Sequence, residues 1–174
     1  MIDGYVRQPT LPFRPPADPA TPIIMVGPGT GLAPFMGFLE DRAALLETGT
    51  SLGQALLFFG CRNPEQDFLY RDELTAWAEA GVMSLQVAFS RPTSGEKRYV
   101  QDDLRATGAQ VWEMLQNGGI FYVCGDGSKM EPAVRQTLVE IAMAHGGLSA
   151  EAAAAWQADL AAQGRYLADV WSGA

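Results

Sequence analysis

The 174-residue chain has few of the residue types on which several kinds of functional site depend. Its two cysteines, Cys61 and Cys124, fit neither a disulfide framework nor a metal-ligand spacing, and free thiols favour the cytosol. Its one histidine, His145, excludes a histidine-rich metal centre and argues against a serine triad. We therefore expect a cytoplasmic protein without a metal site.

Basic residues and long apolar runs are also scarce. Twelve Lys and Arg stand against 20 Asp and Glu, which gives a net charge of −8 at pH 7. Because nucleic acids and anionic membranes favour basic surfaces, neither is expected as a partner. No run approaches the ~18 apolar residues of a membrane helix, and the first ten residues lack the pattern of a signal peptide.

Proline is concentrated at the start of the chain. Six prolines lie between Met1 and Pro22, and they favour extended chain with few hydrogen bonds. We interpret residues 1–22 as a linker or as the remnant of an upstream domain. Residues 23–174 are then a single domain.

From residue 23 onward, short apolar runs alternate with segments of helical periodicity. Strands are predicted at Ile23–Val26, Ala55–Phe59, Met83–Phe89 and Ile120–Cys124, with a strand or turn at Tyr166–Trp171. Helices are predicted at Leu32–Glu47, Asp67–Ala80, Val100–Arg105, Gln110–Gln116, Lys129–His145 and Ser149–Gln163. This alternation predicts an α/β fold, a Rossmann-like five-stranded parallel sheet with helices on both faces. Ligands of such sheets bind at the carboxyl ends of the strands.

The first strand is followed by a glycine-rich turn, GPGTG at Gly27–Gly31. Gly29 and Gly31 would let the backbone approach a phosphate, Thr30 offers a hydroxyl, and the following helix N-terminus favours anions. The turn is neither a standard GxGxxG motif nor a Walker loop, because GK[ST] is absent. An ordinary turn between a strand and a helix is the alternative.

A basic cluster follows the third strand. It consists of Ser90, Arg91, Lys97, Arg98 and Tyr99. Cations and a hydroxyl suit an adenosine that carries a 2′-phosphate, and the tyrosine can stack on adenine. A site for the unphosphorylated dinucleotide more often places an acidic residue against the ribose. A solvated basic loop is the alternative.

The remaining motifs lie at other strand ends and near the C-terminus. Arg62, next to Cys61, is a candidate contact for a pyrophosphate. In the segment Cys124–Ser128, the thiol either reacts or only packs, and Asp126 either caps a helix or forms hydrogen bonds near the thiol. The last motif along the chain is Asp169–Ser172.

Together these motifs resemble the NADPH-binding domain of diflavin reductases, whose fold is that of ferredoxin–NADP reductase. The resemblance covers roughly residues 22–173 and rests on GPGTGLAPF, FGCR, LYRDEL, AFSR, YVQ, YVCGDG and RYLADVW. The reductase part of self-sufficient bacterial cytochrome P-450 monooxygenases is the nearest match within that family.

The resemblance implies a role for each candidate residue. Gly29, Thr30, Gly31 and Arg62 would bind pyrophosphate, and Ser90, Arg91, Lys97 and Tyr99 would bind the 2′-phosphate and adenosine, with Gln101 nearby. Gly125, Asp126 and Met130 complete the NADP(H) site. Cys124 and Asp169 would lie by the nicotinamide and assist hydride transfer, and Trp171 would stack on FAD.

The resemblance also implies partners. The family's FAD-binding motif and further catalytic serine are not found in this chain. The chain is therefore expected to bind NADP but to be inactive without the FAD domain of its parent chain, which would pass electrons through an FMN domain to a haem domain.

Three alternatives stay open. The chain could be purely a binding module, or the NADP-binding domain of a single-flavin ferredoxin or oxygenase reductase. The latter is less favoured because three residues follow Trp171, where those proteins commonly end at or near their terminal aromatic residue. The third alternative is a nucleotide-binding protein without redox function.

Overall fold

The computed structural model describes residues 13–171, which form one parallel sheet covered by helices. The strands are β1 (Ile23–Val26), β2 (Ala55–Cys61), β3 (Ser84–Phe89), β4 (Ile120–Asp126) and β5 (Tyr166–Trp171). They are arranged in the order β3-β2-β1-β4-β5, and every neighbouring pair is parallel. The predicted five-stranded parallel sheet is confirmed, and its strand order reverses between β1 and β4.

Within residues 13–171, six α-helices connect the strands. They are α1 (Ala33–Glu47), α2 (Arg71–Glu79), α3 (Val100–Ala106), α4 (Gly108–Gln116), α5 (Met130–Gly146) and α6 (Ala150–Ala162). A short 3-10 turn at Gly29–Leu32 precedes α1. Within residues 13–171, no helix combines the length and the apolar character needed to cross a membrane.

Helices bury the central strands β1, β2 and β4 on both faces, and the side chains of each strand alternate between these faces. In β1, Ile23 and Met25 pack with α1 and α2, whereas Ile24 and Val26 pack with α3, α4, α5 and α6. All four are fully buried. This two-sided burial explains why the central strands appear in the sequence as apolar runs.

The helix predicted at Asp67–Ala80 is wrong at its start, because α2 begins at Arg71. Asp67 instead closes a turn: its carboxylate accepts a hydrogen bond from the backbone N–H of Asn63 at 3.1 Å. Tyr70 then adopts a left-handed conformation with φ of 51°, which interrupts helical geometry. Residues 67–70 therefore form a loop above the sheet rather than the first turn of a helix.

The two helical pieces predicted after β3 are separate helices that meet at Thr107, because α3 ends at Ala106 and α4 begins at Gly108. Gly108 is buried, and a Cβ there would lie 2.8 Å from Nε2 of His145 on α5. The glycine therefore allows α4 to approach α5. Ser149 is the N-cap of α6, since its Oγ accepts a hydrogen bond from the N–H of Ala152 at 3.2 Å.

The described part of the proline-rich segment packs against the domain. The ring of Phe13 lies 5.4 Å from that of Tyr122 and 5.8 Å from that of Phe35. The hydroxyl of Tyr122 donates to the carbonyl oxygen of Arg14 at 2.8 Å. Residues 1–12 lie outside the described residues, and the interpretation of residues 1–22 as a linker stays a prediction.

Candidate cofactor site

A cleft of about 780 Å³ opens at the carboxyl ends of the strands. This volume lies within the range of pockets that hold small molecules and cofactors. Its walls come from the glycine-rich turn, from the loops after β2 and β3, from the start of α5 and from the end of β5. The cleft therefore lies where a parallel sheet of this type binds its ligands.

The cleft brings together ten of the fifteen candidate residues. These are Gly29, Thr30, Arg62, Ser90, Tyr99, Gln101, Gly125, Asp126, Met130 and Trp171. The other five, Gly31, Arg91, Lys97, Cys124 and Asp169, do not line it. Ser172 lies outside the described residues.

The two central glycines of the turn differ in their surroundings. Gly29 has a positive φ of 58°, and no atom lies within 4 Å of the position of a Cβ, so this part of the turn is open toward the cleft. Gly31 is buried, and a Cβ there would overlap the carbonyl oxygen of Cys124 and lie 2.8 Å from its carbonyl carbon. Gly31 therefore allows the turn to contact β4, a role that the sequence did not indicate.

Backbone hydrogen bonds hold the start of the basic loop. The N–H groups of Ser90 and Arg91 donate to the carbonyl oxygens of Cys61 and Arg62 at 2.9 and 2.8 Å. Pairing between β2 and β3 thus continues beyond both strands. These bonds hold the loops that follow β2 and β3 side by side at the rim of the cleft. The side chain of Arg91 is exposed there.

The end of the basic loop presents an aromatic ring and a cation. Tyr99 is 46% exposed and lines the cleft, and Nζ of Lys97 lies 6.0 Å from the centre of its ring. Arg98 lies between them in sequence but is paired with the carboxylate of Asp103. Of the three cations in this loop, Arg98 is the one with a structural partner within residues 13–171.

Asp126 caps the start of α5. Its carboxylate accepts hydrogen bonds from the backbone N–H groups of Ser128, Lys129 and Met130 at 3.1, 2.8 and 3.1 Å. These bonds, led by that from Met130, lower the pKa of Asp126. Of the two roles weighed for Asp126, capping is the one that the geometry supports.

The side chains of β4 and β5 that were assigned to the nicotinamide differ strongly in exposure. Cys124 is buried and faces Asp169 across the β4–β5 register. Burial first, and Asp169 second, raise the pKa of the Cys124 thiol to about 11. The thiol is therefore protonated at neutral pH. Trp171 is 48% exposed at the end of β5, and its carbonyl oxygen accepts the N–H of Gly127 at 2.9 Å.

Both thiols should react slowly with alkylating reagents. Burial first, and Asp67 second, raise the pKa of Cys61 to about 11, against the lowering effect of Arg71. At pH 8 the thiolate fraction of each cysteine should be about 100-fold below that of an unfolded cysteine. Iodoacetamide labelling of the native and the urea-unfolded chain, followed by mass spectrometry, measures the two rates at each residue.

The same shifts predict a dependence of stability on pH. The unfolded thiols lose their protons at a lower pH than the folded ones, so the stability contributed by burial is full below about pH 8.5. It should be lost progressively as the pH rises toward 11. Equal labelling rates in the native and unfolded chains would contradict both expectations.

Several residues that line the cleft were missed from the sequence. They are Pro28, Gly60, Cys61, Gln66, Asp67, Leu69, Val100 and Lys129. Asp67 and Leu69 were missed because they were assigned to a helix. Lys129 carried a signal that was overlooked, since a cation three residues after the capping Asp126 lies at the helix end that points to the ligand side of the sheet.

Residues 25–136, from the middle of β1 into α5, match the oxidoreductase NAD-binding domain family. The chain belongs to this family. The position of the cleft on this NAD-binding domain agrees with the ligand side of the sheet.

Relatives of this NAD-binding domain are long reductases. The bifunctional cytochrome P-450/NADPH–P-450 reductase of Bacillus cereus is 46% identical over 169 residues, which are 97% of this chain and 16% of the relative. A second such protein, from Bacillus subtilis, is 44% identical over 169 residues, which are again 97% of this chain and 16% of the relative. NADPH–cytochrome P-450 reductase of Mus musculus is 44% identical over 174 residues, 99% of this chain and 25% of the relative. The expected resemblance to these reductases is confirmed, and the chain spans a quarter or less of each.

Proposed function

We propose that this chain is the NADPH-binding module of a diflavin reductase and holds NADPH against an FAD bound by another domain of the parent protein. The observation that carries the proposal is the pair of exposed cations Arg91 and Lys97. Neither forms an ion pair within residues 13–171, although the chain has a net charge of −8. Free cations beside a nucleotide-sized cleft favour a ligand with an additional phosphate.

The pyrophosphate belongs at the centre of the cleft. Gly29 leaves the backbone open there, and Thr30 offers its hydroxyl group. Arg62 and Lys129 line the same cleft and provide positive charge from β2 and from the start of α5. These groups recognise both forms of the dinucleotide, because they do not contact the 2′ position of the adenosine ribose.

The adenosine end belongs beside the basic loop. Tyr99 offers an exposed ring for adenine, and Ser90 and Gln101 provide hydrogen-bonding groups in the cleft wall. Arg91 and Lys97 lie just outside the cleft lining, where a phosphate on the ribose would project. Arginine binds phosphate through two parallel hydrogen bonds, whereas lysine adds a point charge.

The nicotinamide end belongs at β4 and β5. When bound, NADPH supplies a hydride to the flavin. A protonated Cys124 thiol and the Asp169 carboxylate would position the nicotinamide, with Gly125 and Met130 along the wall. The exposed ring of Trp171 offers a flat surface on which a flavin of the neighbouring domain can stack.

The names of the relatives support a place for this module in electron transfer. Those of Bacillus cereus and Bacillus subtilis are described as both cytochrome P-450 and reductase. We infer that the parent protein passes electrons from FAD through FMN to a haem monooxygenase. The module alone binds NADP and does not turn it over, because its sequence lacks the flavin-binding motif of the family.

Calorimetric titration of the 174-residue chain tests the proposal. NADP⁺ should bind about 1,000-fold more tightly than NAD⁺ at low salt, because Arg91 adds two charged hydrogen bonds and Lys97 adds a third charged contact. The purified chain should show no flavin absorbance and should not oxidise NADPH. Equal affinities for the two dinucleotides, or binding of neither, would contradict the proposed NADP site.

Trp171→Ala should shift coenzyme preference in a protein that includes the FAD domain. Stacking of the exposed Trp171 ring on the flavin contributes a free energy equivalent to about tenfold in binding. Removing the ring opens the position against the flavin to the nicotinamide of either coenzyme. The preference for NADPH over NADH in steady-state kinetics should therefore fall by about that factor. An unchanged preference would show that Trp171 does not occupy the nicotinamide position.

A further inference from the structure

The basic loop carries three cations, and one of them differs from the other two in its contacts. Arg91 and Lys97 are exposed without an ion pair in the described residues, whereas Arg98 is bound to Asp103. The side chain of Asp103 is 4% exposed and that of Arg98 is 54% exposed. The buried carboxylate therefore fixes the guanidinium from inside the domain.

Arg98 is also the residue at which the backbone of the loop is attached to the sheet. Its N–H donates to the carbonyl oxygen of Phe89, the last residue of β3, at 2.9 Å. The backbone and the side chain of Arg98 thus both form bonds with other parts of the domain, to Phe89 and to Asp103. Of its two neighbours, Tyr99 lines the cleft, and the cation of Lys97 lies over the Tyr99 ring.

A second carboxylate on α3 holds the next residue. Oδ2 of Asp102 accepts the backbone N–H of Tyr99 at 2.8 Å, and its Oδ1 accepts Nη1 of Arg105 at 3.3 Å. Adjacent aspartates thereby hold adjacent residues of the loop. Asp103 differs from Asp102 in being buried, so loss of its partner would leave an unpaired charge in the interior.

We propose that Asp103 is a positioning residue for coenzyme selection. It binds Arg98, keeps this cation away from the ligand, and holds the neighbouring Lys97 at the place where it meets the 2′-phosphate. The preference for NADP over NAD thus depends on a carboxylate that does not contact the ligand. The inference rests on the proposed NADP site.

Calorimetry with NADP⁺ and NAD⁺ tests it on the 174-residue chain at several salt concentrations. Asp103→Asn should weaken NADP⁺ binding about tenfold, the value of one charged hydrogen bond, and change NAD⁺ binding less than about twofold. The dependence of NADP⁺ affinity on salt should keep its wild-type slope, because Arg91 and Lys97 remain. Arg91→Gln, by contrast, should weaken NADP⁺ binding and flatten that slope.

Two further variants separate positioning from stability and from direct contact. Arg98→Gln/Asp103→Asn removes both charges without leaving one buried, and it should lose the same NADP⁺ affinity as Asp103→Asn alone. Arg98→Lys retains the pair and should retain most of the preference. Arg105→Gln, which removes exposed ion pairs with Asp102 on α3 and Glu140 on α5, is the control and should bind as the wild type.

The inference is overturned if Asp103→Asn leaves NADP⁺ affinity unchanged or increases it, or if Arg98→Gln/Asp103→Asn flattens the salt dependence as Arg91→Gln does. The second result would place Arg98 on the phosphate itself. Thermal unfolding identifies a variant that does not fold, in which case the double variant decides. If the wild type does not discriminate between NADP⁺ and NAD⁺, the proposed function itself is wrong.

Discussion

Arg91→Ala is expected to weaken NADP⁺ binding about 100-fold while NAD⁺ binding stays within about twofold of the wild type. The side chain is exposed at the rim of the cleft, and its backbone is fixed by the hydrogen bond from its N–H to the carbonyl oxygen of Arg62. Two charged hydrogen bonds to one phosphate account for this magnitude. The selective loss follows because NAD⁺ lacks the 2′-phosphate.

The measurement is a pair of calorimetric titrations for each variant, at low salt. Arg14→Ala is a matched control, because it removes one positive charge from an exposed arginine that does not line the cleft. It should leave both affinities near their wild-type values. If Arg91→Ala weakens NADP⁺ and NAD⁺ by the same factor, Arg91 acts on the shared part of the dinucleotide and the 2′-phosphate assignment is wrong.

The overall fold follows from local features of the sequence. Continuous apolar runs such as Ile23–Val26, bounded by glycine and proline, indicate strands that are buried on both faces. Helical periodicity between these runs then restricts the sheet to parallel pairing, since each crossover needs a helix. The predicted strands were two residues too short at Cys61 and Asp126, because glycines inside them looked like turns.

The errors arose where hydrogen bonds or contacts compete with periodicity. The apolar periodicity around Asp67 suits a helix. In the structure, however, the carboxylate of Asp67 accepts a hydrogen bond from Asn63, and Tyr70 adopts a left-handed backbone conformation. As a result, Asp67 and Leu69 lie in the wall of the cleft. From the sequence alone, Asp67 could equally belong to a helix or accept a hydrogen bond from Asn63, four residues earlier, in a turn.

The different roles of the three cations in the basic loop could not be predicted either. Arg91, Lys97 and Arg98 carry the same charge within eight residues, so composition assigns them one role. Only the burial of Asp103 separates Arg98 from the others, and burial is a property of how α3 packs on the sheet. The sequence could identify the loop but not the individual contacts within it.

Gly31 illustrates the same limit, and its replacement should have a large effect on stability. Gly31→Ala is expected to lower the free energy of unfolding by about 3 kcal/mol or more. The added Cβ would overlap the carbonyl oxygen of Cys124, a backbone atom inside β4 that cannot turn aside as a side chain can. The turn and β4 would have to separate at the floor of the cleft.

Urea denaturation of two variants tests this assignment. Gly37→Ala is the matched control: the residue lies inside α1, is exposed, and has no atom within 4 Å of the new Cβ. Alanine should therefore stabilise the helix there by about 0.5–1 kcal/mol. If Gly31→Ala is as stable as the wild type, the contact with Cys124 is not what requires glycine. If the Gly31 variant keeps its stability and loses only dinucleotide affinity, Gly31 acts on phosphate, as the sequence motif first indicated.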